Sequence, residues 1–160
     1  MIIHPIDPVF DASSEILILG SFPSVKSREQ GFFYGHPQNR FWKVLAHIFE
    51  DDIPDTIKEK RAFLLAHHVA VWDVIRSCRI EGSSDASIRD VQPNDLKPLL
   101  TGSKIHSIYV NGKTAEKYYR KYIEPQTGRN AVCLPSTSPA NAAWTYDRLC
   151  EAWSIIKTEP

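Results

Sequence analysis

The chain has 160 residues, of which 42% are hydrophobic and 24% are charged. This length is enough for one domain with its own core, and the composition excludes disordered and fibrous proteins. The 19 basic and 19 acidic side chains give a formal net charge of zero at pH 7. Neutrality argues against a protein that coats nucleic acid through bulk charge, but it permits an enzyme that contacts a few nucleotides. We therefore expect a single domain over residues 1–160.

The three cysteines, Cys78, Cys133 and Cys150, are far apart and form no Cys-x-x-Cys pair. They indicate reduced thiols in the cytoplasm, and they are too few for the four ligands of an iron–sulfur cluster. The histidines show no zinc-site spacing either. The N-terminus lacks the pattern of a signal peptide, and no apolar run is long enough to span a membrane. We therefore expect a cytoplasmic protein without membrane contact, metal or cofactor.

Short apolar runs alternate with helical patterns along the chain after an irregular lead-in at residues 4–14. The predicted strands are 16–19, 69–72, 105–110 and 131–134. The predicted helices are 40–49, 54–68, 94–100, 114–122 and 146–157. The polar stretches 20–39 and 77–92 are expected to be long connections. This alternation predicts a three-layer α/β/α sandwich with a short, mostly parallel, four-stranded central sheet.

The loops after the four strands share one edge of such a sheet, where α/β proteins bind ligands. The most distinctive segment, residues 31–44, reads Gly-Phe-Phe-Tyr-Gly-His-Pro-Gln-Asn-Arg-Phe-Trp-Lys-Val. Asn39 precedes the helical pattern, so it is a good N-cap. A chemical role at the sheet edge is the alternative, and one residue can serve both roles.

Two segments, one directly after the first long apolar strand and one within residues 31–44, together resemble a known family. The strand followed by Gly20-Ser21-Phe22-Pro23-Ser24, and the His-Pro-Gln-Asn-Arg-Phe-Trp-Lys-Val segment, are similar to the uracil-DNA glycosylase superfamily. The closest similarity is to its hypoxanthine (deoxyinosine) DNA glycosylase branch. Residues 136–141, Ser-Thr-Ser-Pro-Ala-Asn, fall where the superfamily has its second motif. The resemblance covers most of the chain and implies a base excision repair enzyme that removes hypoxanthine from deoxyinosine in DNA. The motifs show no evident lysine nucleophile, so we expect a monofunctional glycosylase with no metal or cofactor.

The resemblance also implies roles for individual residues. Asn39 matches the asparagine that positions the attacking water, because Phe22 stands where many relatives carry Asp or Asn. Tyr34 matches the aromatic residue that stacks on the flipped base. The implied base-binding residues are Gly20, Ser21, Phe22, Pro23, Tyr34, His36 and Asn111. The implied DNA-binding residues are Ser136, Ser138, Pro139, Ala140, Asn141, Arg40 and Lys113.

Several alternatives stay open at this point. Ser136 and Ala140 stand where many relatives have His and Leu, so the leaving base needs another source of stabilisation and the loop lacks a large wedge. Asn111 precedes a glycine, as in many ordinary turns. A mismatch-specific uracil or thymine glycosylase is favoured by the His36 segment and disfavoured by Phe22. A nucleic-acid-binding module without catalysis is the alternative outside enzymes. We expect the protein to act on DNA as a monomer.

Overall fold

A computed structural model describes residues 1–157. In chain order the strands are β1 (Ile2–Ile3), β2 (Ile16–Gly20), β3 (Val69–Asp73), β4 (Ile75–Arg79), β5 (Arg89–Pro93), β6 (Ser107–Asn111) and β7 (Ala131–Leu134). The α-helices are α1 (Val25–Gln30), α2 (Phe41–Ile48), α3 (Ile57–Ala66), α4 (Lys97–Thr101), α5 (Lys113–Tyr118), α6 (Glu124–Thr127) and α7 (Tyr146–Trp153). A π-helical segment (Tyr119–Ile123) continues α5, and short 3-10 turns lie at Asp85–Ser87 and Ser154–Ile156.

The central sheet consists of four parallel strands in the order β3-β2-β6-β7. The predicted parallel sheet is thereby confirmed, with each strand shifted by two residues or fewer from its expected bounds. Gly20 pairs with Asp73, and Asn111 pairs with Leu134. These paired residues end their strands at the same level, so the loops that follow them share one edge of the sheet, which we call the carboxyl edge.

Alternating side chains of β2 enter two apolar cores on opposite faces of the sheet. Ile16 and Ile18 pack with α2, α3 and α7, whereas Leu17 and Leu19 pack with α4 and α5. All four side chains are buried, and each contributes about 1.5–3 kcal/mol relative to an exposed position. The sheet is therefore covered by helices on both faces, which is the predicted three-layer arrangement.

The stretch 77–92, which was expected to be a connection, begins and ends in strands of a second, antiparallel sheet of order β1-β4-β5. This expectation was wrong because β4 (Ile-Arg-Ser-Cys-Arg) and β5 (Arg-Asp-Val-Gln-Pro) are mostly polar. Only Ile75 and Cys78 are fully buried among the residues of these two strands. The loop between β4 and β5 reaches the carboxyl edge of the central sheet, where it contributes to the site described below.

Other local expectations also need correction. The long connection after β2 contains α1, which the Ser24 hydroxyl caps by accepting from Ser27 N–H at 3.2 Å. Helix α3 begins at Ile57 rather than near Pro54, because Thr56 and Glu59 form a capping box. Asn94 does not cap a helix; its buried amide donates to the carbonyls of Asp73 and Ile75.

The helices of the described range are too short or too polar to cross a bilayer.

Candidate active site

A cavity of about 140 Å³ opens at the carboxyl edge of the central sheet. Its walls come from the ends of β2, β3 and β6, from the loop after β7 and from the β4–β5 loop. The structure brings together nine of the residues singled out in the sequence, which are residues 20–23, Tyr34, Asn39, Asn111, Ser136 and Ser138. Segments separated by more than a hundred residues in the chain therefore meet at one pocket.

The other predicted residues do not line this cavity. The His36 ring accepts from the Gln38 N–H at 3.1 Å and so stabilises the turn before Asn39. Asn141 donates to the Ser136 carbonyl at 3.0 Å, within the loop that follows β7. Pro139 and Ala140 belong to the same loop, with Ala140 exposed, and Lys113 is the first residue of α5.

Asn39 lies two residues before the start of α2, whose N-cap position is Arg40, and it is held by two hydrogen bonds to its side-chain oxygen. Oδ1 accepts from the Phe41 N–H at 2.9 Å and from the Thr137 hydroxyl at 2.9 Å. Because a backbone N–H can only donate, the contact with Phe41 fixes which amide atom is the oxygen. The two lone pairs of Oδ1 are thus occupied, and the Nδ2 amide hydrogens are the groups that Asn39 has to offer to a ligand.

Thr137 links Asn39 to the end of β6. Its hydroxyl accepts from Asn111 Nδ2 at 3.0 Å while it donates to Asn39, and its backbone N–H donates to Asn111 Oδ1 at 3.1 Å. Thr137 is completely buried. The result is a directed chain of hydrogen bonds, Asn111 to Thr137 to Asn39, that fixes both asparagine side chains against the pocket. The sequence interpretation overlooked Thr137, although it lies inside the second motif.

Arg40 organises the loop after β7 from within the protein. Its guanidinium donates to the carbonyls of Ser138 at 2.9 Å, Asn141 at 3.2 Å and Trp144. Its backbone N–H also donates to the Thr137 carbonyl at 3.1 Å. The Arg40 side chain, which was predicted to contact a DNA phosphate, thus donates three hydrogen bonds to this loop.

Tyr34 adopts a left-handed backbone conformation, with φ of 51°, which is unusual for an aromatic residue. Its ring stacks on Phe41 with centroids 4.0 Å apart. Its Oη atom is buried, and no protein group in the described structure accepts a hydrogen bond from it, although the Asn111 amide lies close enough to donate to it. Burial, and secondarily the Asp73 carboxylate, raise the pKa of the phenol well above its usual value. The hydroxyl is therefore a neutral donor without a partner at the pocket.

Asp73 was not identified from the sequence, yet it lies at the floor of the pocket beside Gly20. Its Oδ2 is 2.7 Å from Nε2 of His4, and both side chains are almost completely buried. A Cβ atom on Gly20 would overlap Asp73 Oδ1 and would lie 3.0 Å from Tyr34 Oη. Only glycine fits at this position. The signal was present in the sequence, because Asp73 directly follows an apolar strand just as Asn111 does.

The carboxylate of Asp85 and the hydroxyl of Ser83 complete the wall formed by the β4–β5 loop. Ser21 Oγ lies 3.4 Å from Asp85 Oδ1, and Ser83 accepts from the Val25 N–H at 2.9 Å. Arg28 of α1 donates to the Gly82 carbonyl at 2.7 Å. These contacts join α1 to the loop across the side of the pocket. Nothing in the sequence pattern pointed to this wall, because the loop is polar and far from the motifs.

The described residues contain no group of three or more His, Cys, Asp or Glu side chains suited to a metal ion. The site instead combines amide, hydroxyl and phenol groups with one buried carboxylate on an α/β scaffold. Residues 8–157 match the family model of the uracil DNA glycosylase superfamily. The chain belongs to this superfamily.

Two curated members of the superfamily are similar over most of the chain. A hypoxanthine DNA glycosylase of Methanosarcina acetivorans is 35% identical over 152 residues, covering 92% of this chain and 93% of that protein. A hypoxanthine DNA glycosylase of Methanosarcina barkeri is 34% identical over 138 residues, covering 84% and 85% respectively.

A solved structure shares the fold. It is the solution NMR structure of a protein from Methanosarcina acetivorans that is described as a candidate uracil DNA glycosylase. The TM-score is 0.80 and the sequence identity is 32%, with 94% of this chain and 93% of the other covered. The uracil-DNA glycosylase-like fold expected from the motifs is thereby confirmed.

Proposed function

We propose that this superfamily member hydrolyses the N-glycosidic bond of deoxyinosine in DNA and releases hypoxanthine, as a step of base excision repair. The observation that carries the proposal is the position of Asn39, whose amide is rigidly held at a pocket too small and too enclosed for a base that is still stacked in a duplex. The two relatives named as hypoxanthine DNA glycosylases support this choice of base.

Enclosure requires the nucleotide to leave the helix before it can react. Extruding a nucleotide costs a few kcal/mol, and the cost is lowest for a mispaired or damaged base. Deoxyinosine opposite thymine meets that condition. The loop after β7, with Ser138, Pro139, Ala140 and Asn141, is proposed to press on the DNA strand around the flipped nucleotide. Arg40 supports this role from behind by holding the loop carbonyls, and Lys113 is the proposed phosphate contact beside it.

Asn39 is the proposed catalytic residue. An amide is too weak a base to take a proton from water, so its contribution is to position the nucleophile. An asparagine can position a water through its oxygen or its NH2 group, but the Asn39 oxygen already accepts from Phe41 and Thr137. We therefore assign the water to Nδ2, which donates to one lone pair of the water oxygen and leaves the other aimed at the sugar.

The reaction proceeds through an oxocarbenium-like sugar, which a weakly activated water can capture. The water oxygen bonds to C1′, and the electron pair of the broken C1′–N9 bond stays on the base. The water loses its surplus proton to solvent, and the departing base takes up one proton. Ser136 replaces the histidine of many relatives, so hydrogen bonds from pocket donors are left to stabilise the negative charge on the base. Tyr34 supplies one such donor.

The proposal is tested with duplexes that carry one deoxyinosine or one deoxyuridine opposite each normal base. Strand cleavage after alkali is measured with a chelator present, for the wild type, Asn39→Ala and Gln38→Ala. Gln38 is the matched control, because it is the neighbouring amide and is exposed. We expect the wild type and Gln38→Ala to cut at inosine and Asn39→Ala to remain folded but inactive.

Three results would change the assignment. Full activity of Asn39→Ala would remove the proposed catalytic role. Cutting mainly at deoxyuridine would move the protein to the uracil-specific alternative. Selective binding to inosine-containing duplex without an abasic product, by the wild type, would favour the non-catalytic module.

A further inference from the structure

Deamination of adenine changes the edge of the base that a protein can read. Adenine offers an amino donor at C6 and an acceptor at N1. Hypoxanthine offers a carbonyl acceptor at C6 and an N–H donor at N1. A protein that distinguishes the two needs one acceptor and one donor side by side, in the order opposite to that for adenine.

The geometry at the pocket floor points to such a pair. We propose that Asp73 and Tyr34 read the deaminated edge of the flipped base, with Asp73 accepting from N1–H and Tyr34 donating to O6. This inference rests on the proposed function for the choice of base, and it adds the residues that select that base against adenine.

Asp73 presents a single, fixed acceptor. The N–H of Ile6 donates to His4 Nδ1 at 3.1 Å, so this nitrogen is unprotonated and Nε2 carries the hydrogen. Nε2 then donates to Asp73 Oδ2 at 2.7 Å. This leaves Oδ1, which lies against Gly20 at the pocket, as the carboxylate oxygen available to a ligand. His4 is thus a positioning residue for Asp73.

Tyr34 presents the adjacent donor. Its Oη approaches the same face of Gly20 as Asp73 Oδ1. The phenol remains protonated at neutral pH, and no protein group in the described structure accepts its hydrogen bond. A buried hydroxyl without a partner is unfavourable in a folded protein, so a ligand atom that completes it is the natural explanation. A base carbonyl is also where the negative charge spreads as the base departs.

Gly20 has no side chain, and this leaves room for the Asp73 and Tyr34 oxygens beside it. A Cβ atom would overlap Asp73 Oδ1 and would lie only 3.0 Å from Tyr34 Oη. Glycine keeps the two groups adjacent and lets the edge of a planar base approach them.

The proposal predicts that one substitution reduces the preference for hypoxanthine over adenine. In Asp73→Asn, the Nε2–H of His4 still requires an acceptor, so the amide oxygen turns to His4 and the NH2 group faces the pocket. The pocket then offers a donor where it offered an acceptor, which suits N1 of adenine and opposes N1–H of hypoxanthine. In Tyr34→Phe only the donor to O6 is lost.

The test uses binding rather than cleavage. Duplexes carry 2′-fluoro-2′-deoxyinosine, 2′-fluoro-2′-deoxyadenosine or the 2′-fluoro nucleoside of unsubstituted purine, each opposite the same base. The fluorine destabilises the cationic sugar and so prevents hydrolysis. The ratio of dissociation constants for adenine and hypoxanthine is compared between each variant and the wild type, so that differences in base pairing cancel.

We expect Asp73→Asn to reduce the preference for hypoxanthine over adenine by about 10- to 100-fold, as for loss of a hydrogen bond to a charged group. We expect Tyr34→Phe to weaken hypoxanthine binding by about 3- to 10-fold, and to leave binding of unsubstituted purine, which has no O6, unchanged. Equal weakening for all bases in both variants would overturn the inference.

Tyr34→Phe keeps the inference testable if Asp73→Asn does not fold, because it removes a single oxygen whose hydrogen no protein group in the described structure accepts. Failure of the inference is also separable from failure of the proposed function. A wild type that cuts deoxyinosine, with both variants retaining the wild-type preference, overturns the inference alone. A wild type that prefers the hypoxanthine analogue in binding but never cuts deoxyinosine overturns the hydrolysis, and the loss of preference in Asp73→Asn still supports the base-reading pair.

Discussion

Thr137→Val should separate the positioning of Asn39 from the shape of the pocket. Valine has nearly the shape of threonine but lacks the hydroxyl, so the change removes the hydrogen bonds from Asn111 Nδ2 and to Asn39 Oδ1. Thr137 is completely buried, so water cannot replace the lost partner at that point. A buried polar group left without a partner costs about 1–3 kcal/mol, and the free energy of unfolding should fall by that amount.

The melting temperature should then drop by about 2–4 °C for each kcal/mol in a chain of this size. Single-turnover excision at deoxyinosine should slow by about 10- to 100-fold, because Asn39 loses one of the two contacts that orient its amide. Thr137→Ser is the matched control, since it keeps the hydroxyl and should retain most of the activity. Wild-type excision by Thr137→Val, alongside an inactive Asn39→Ala, would refute the proposed chain of hydrogen bonds.

Three other predictions follow from the site. Arg40→Lys should lower the melting temperature and slow excision, because one ammonium cannot replace a guanidinium that reaches three loop carbonyls; unchanged excision with unchanged stability would contradict this. Gly20→Ala should abolish selective binding of the hypoxanthine analogue, because the added Cβ overlaps Asp73 Oδ1; titration of protein shown to be folded by thermal unfolding measures this, and retained selectivity would contradict it. The raised pKa of Tyr34 means that the folded state holds the phenol proton more tightly than the unfolded state does. The free energy of unfolding should therefore fall as pH rises above about 10. Urea titrations should find a smaller fall in Tyr34→Phe.

The central sheet could be predicted from the sequence because its strands are buried on both faces. Their apolar runs are continuous, as for the five buried residues of β2, and such runs are hard to confuse with a polar connection. Strands β4 and β5 gave no comparable signal, because most of their side chains face solvent. They are held by pairing with each other and with β1, and this non-local pairing is not visible in a local pattern.

The convergence of the motifs at one pocket was also predictable, since parallel strands bring their carboxyl ends to one edge. The atoms through which Asn39 contacts its neighbours could not be predicted from the sequence. Its oxygen is occupied by a residue 98 positions away in the chain, Thr137, and only the three-dimensional structure reveals that contact. Asp73 was missed for a different reason. Its position at a strand end was visible in the sequence, but His4 and Tyr34, which distinguish this carboxylate from others, come from distant parts of the chain.

Hydrolysis of the glycosidic bond is tested by the release of free base from a duplex with one deoxyinosine, followed by chromatography and mass detection under single-turnover conditions. We expect the wild type to form one equivalent of hypoxanthine and an intact strand with an abasic site in the presence of chelator, and Asn39→Ala to form no hypoxanthine above background. Absence of free hypoxanthine from reactions with folded wild-type protein would contradict the proposed hydrolysis.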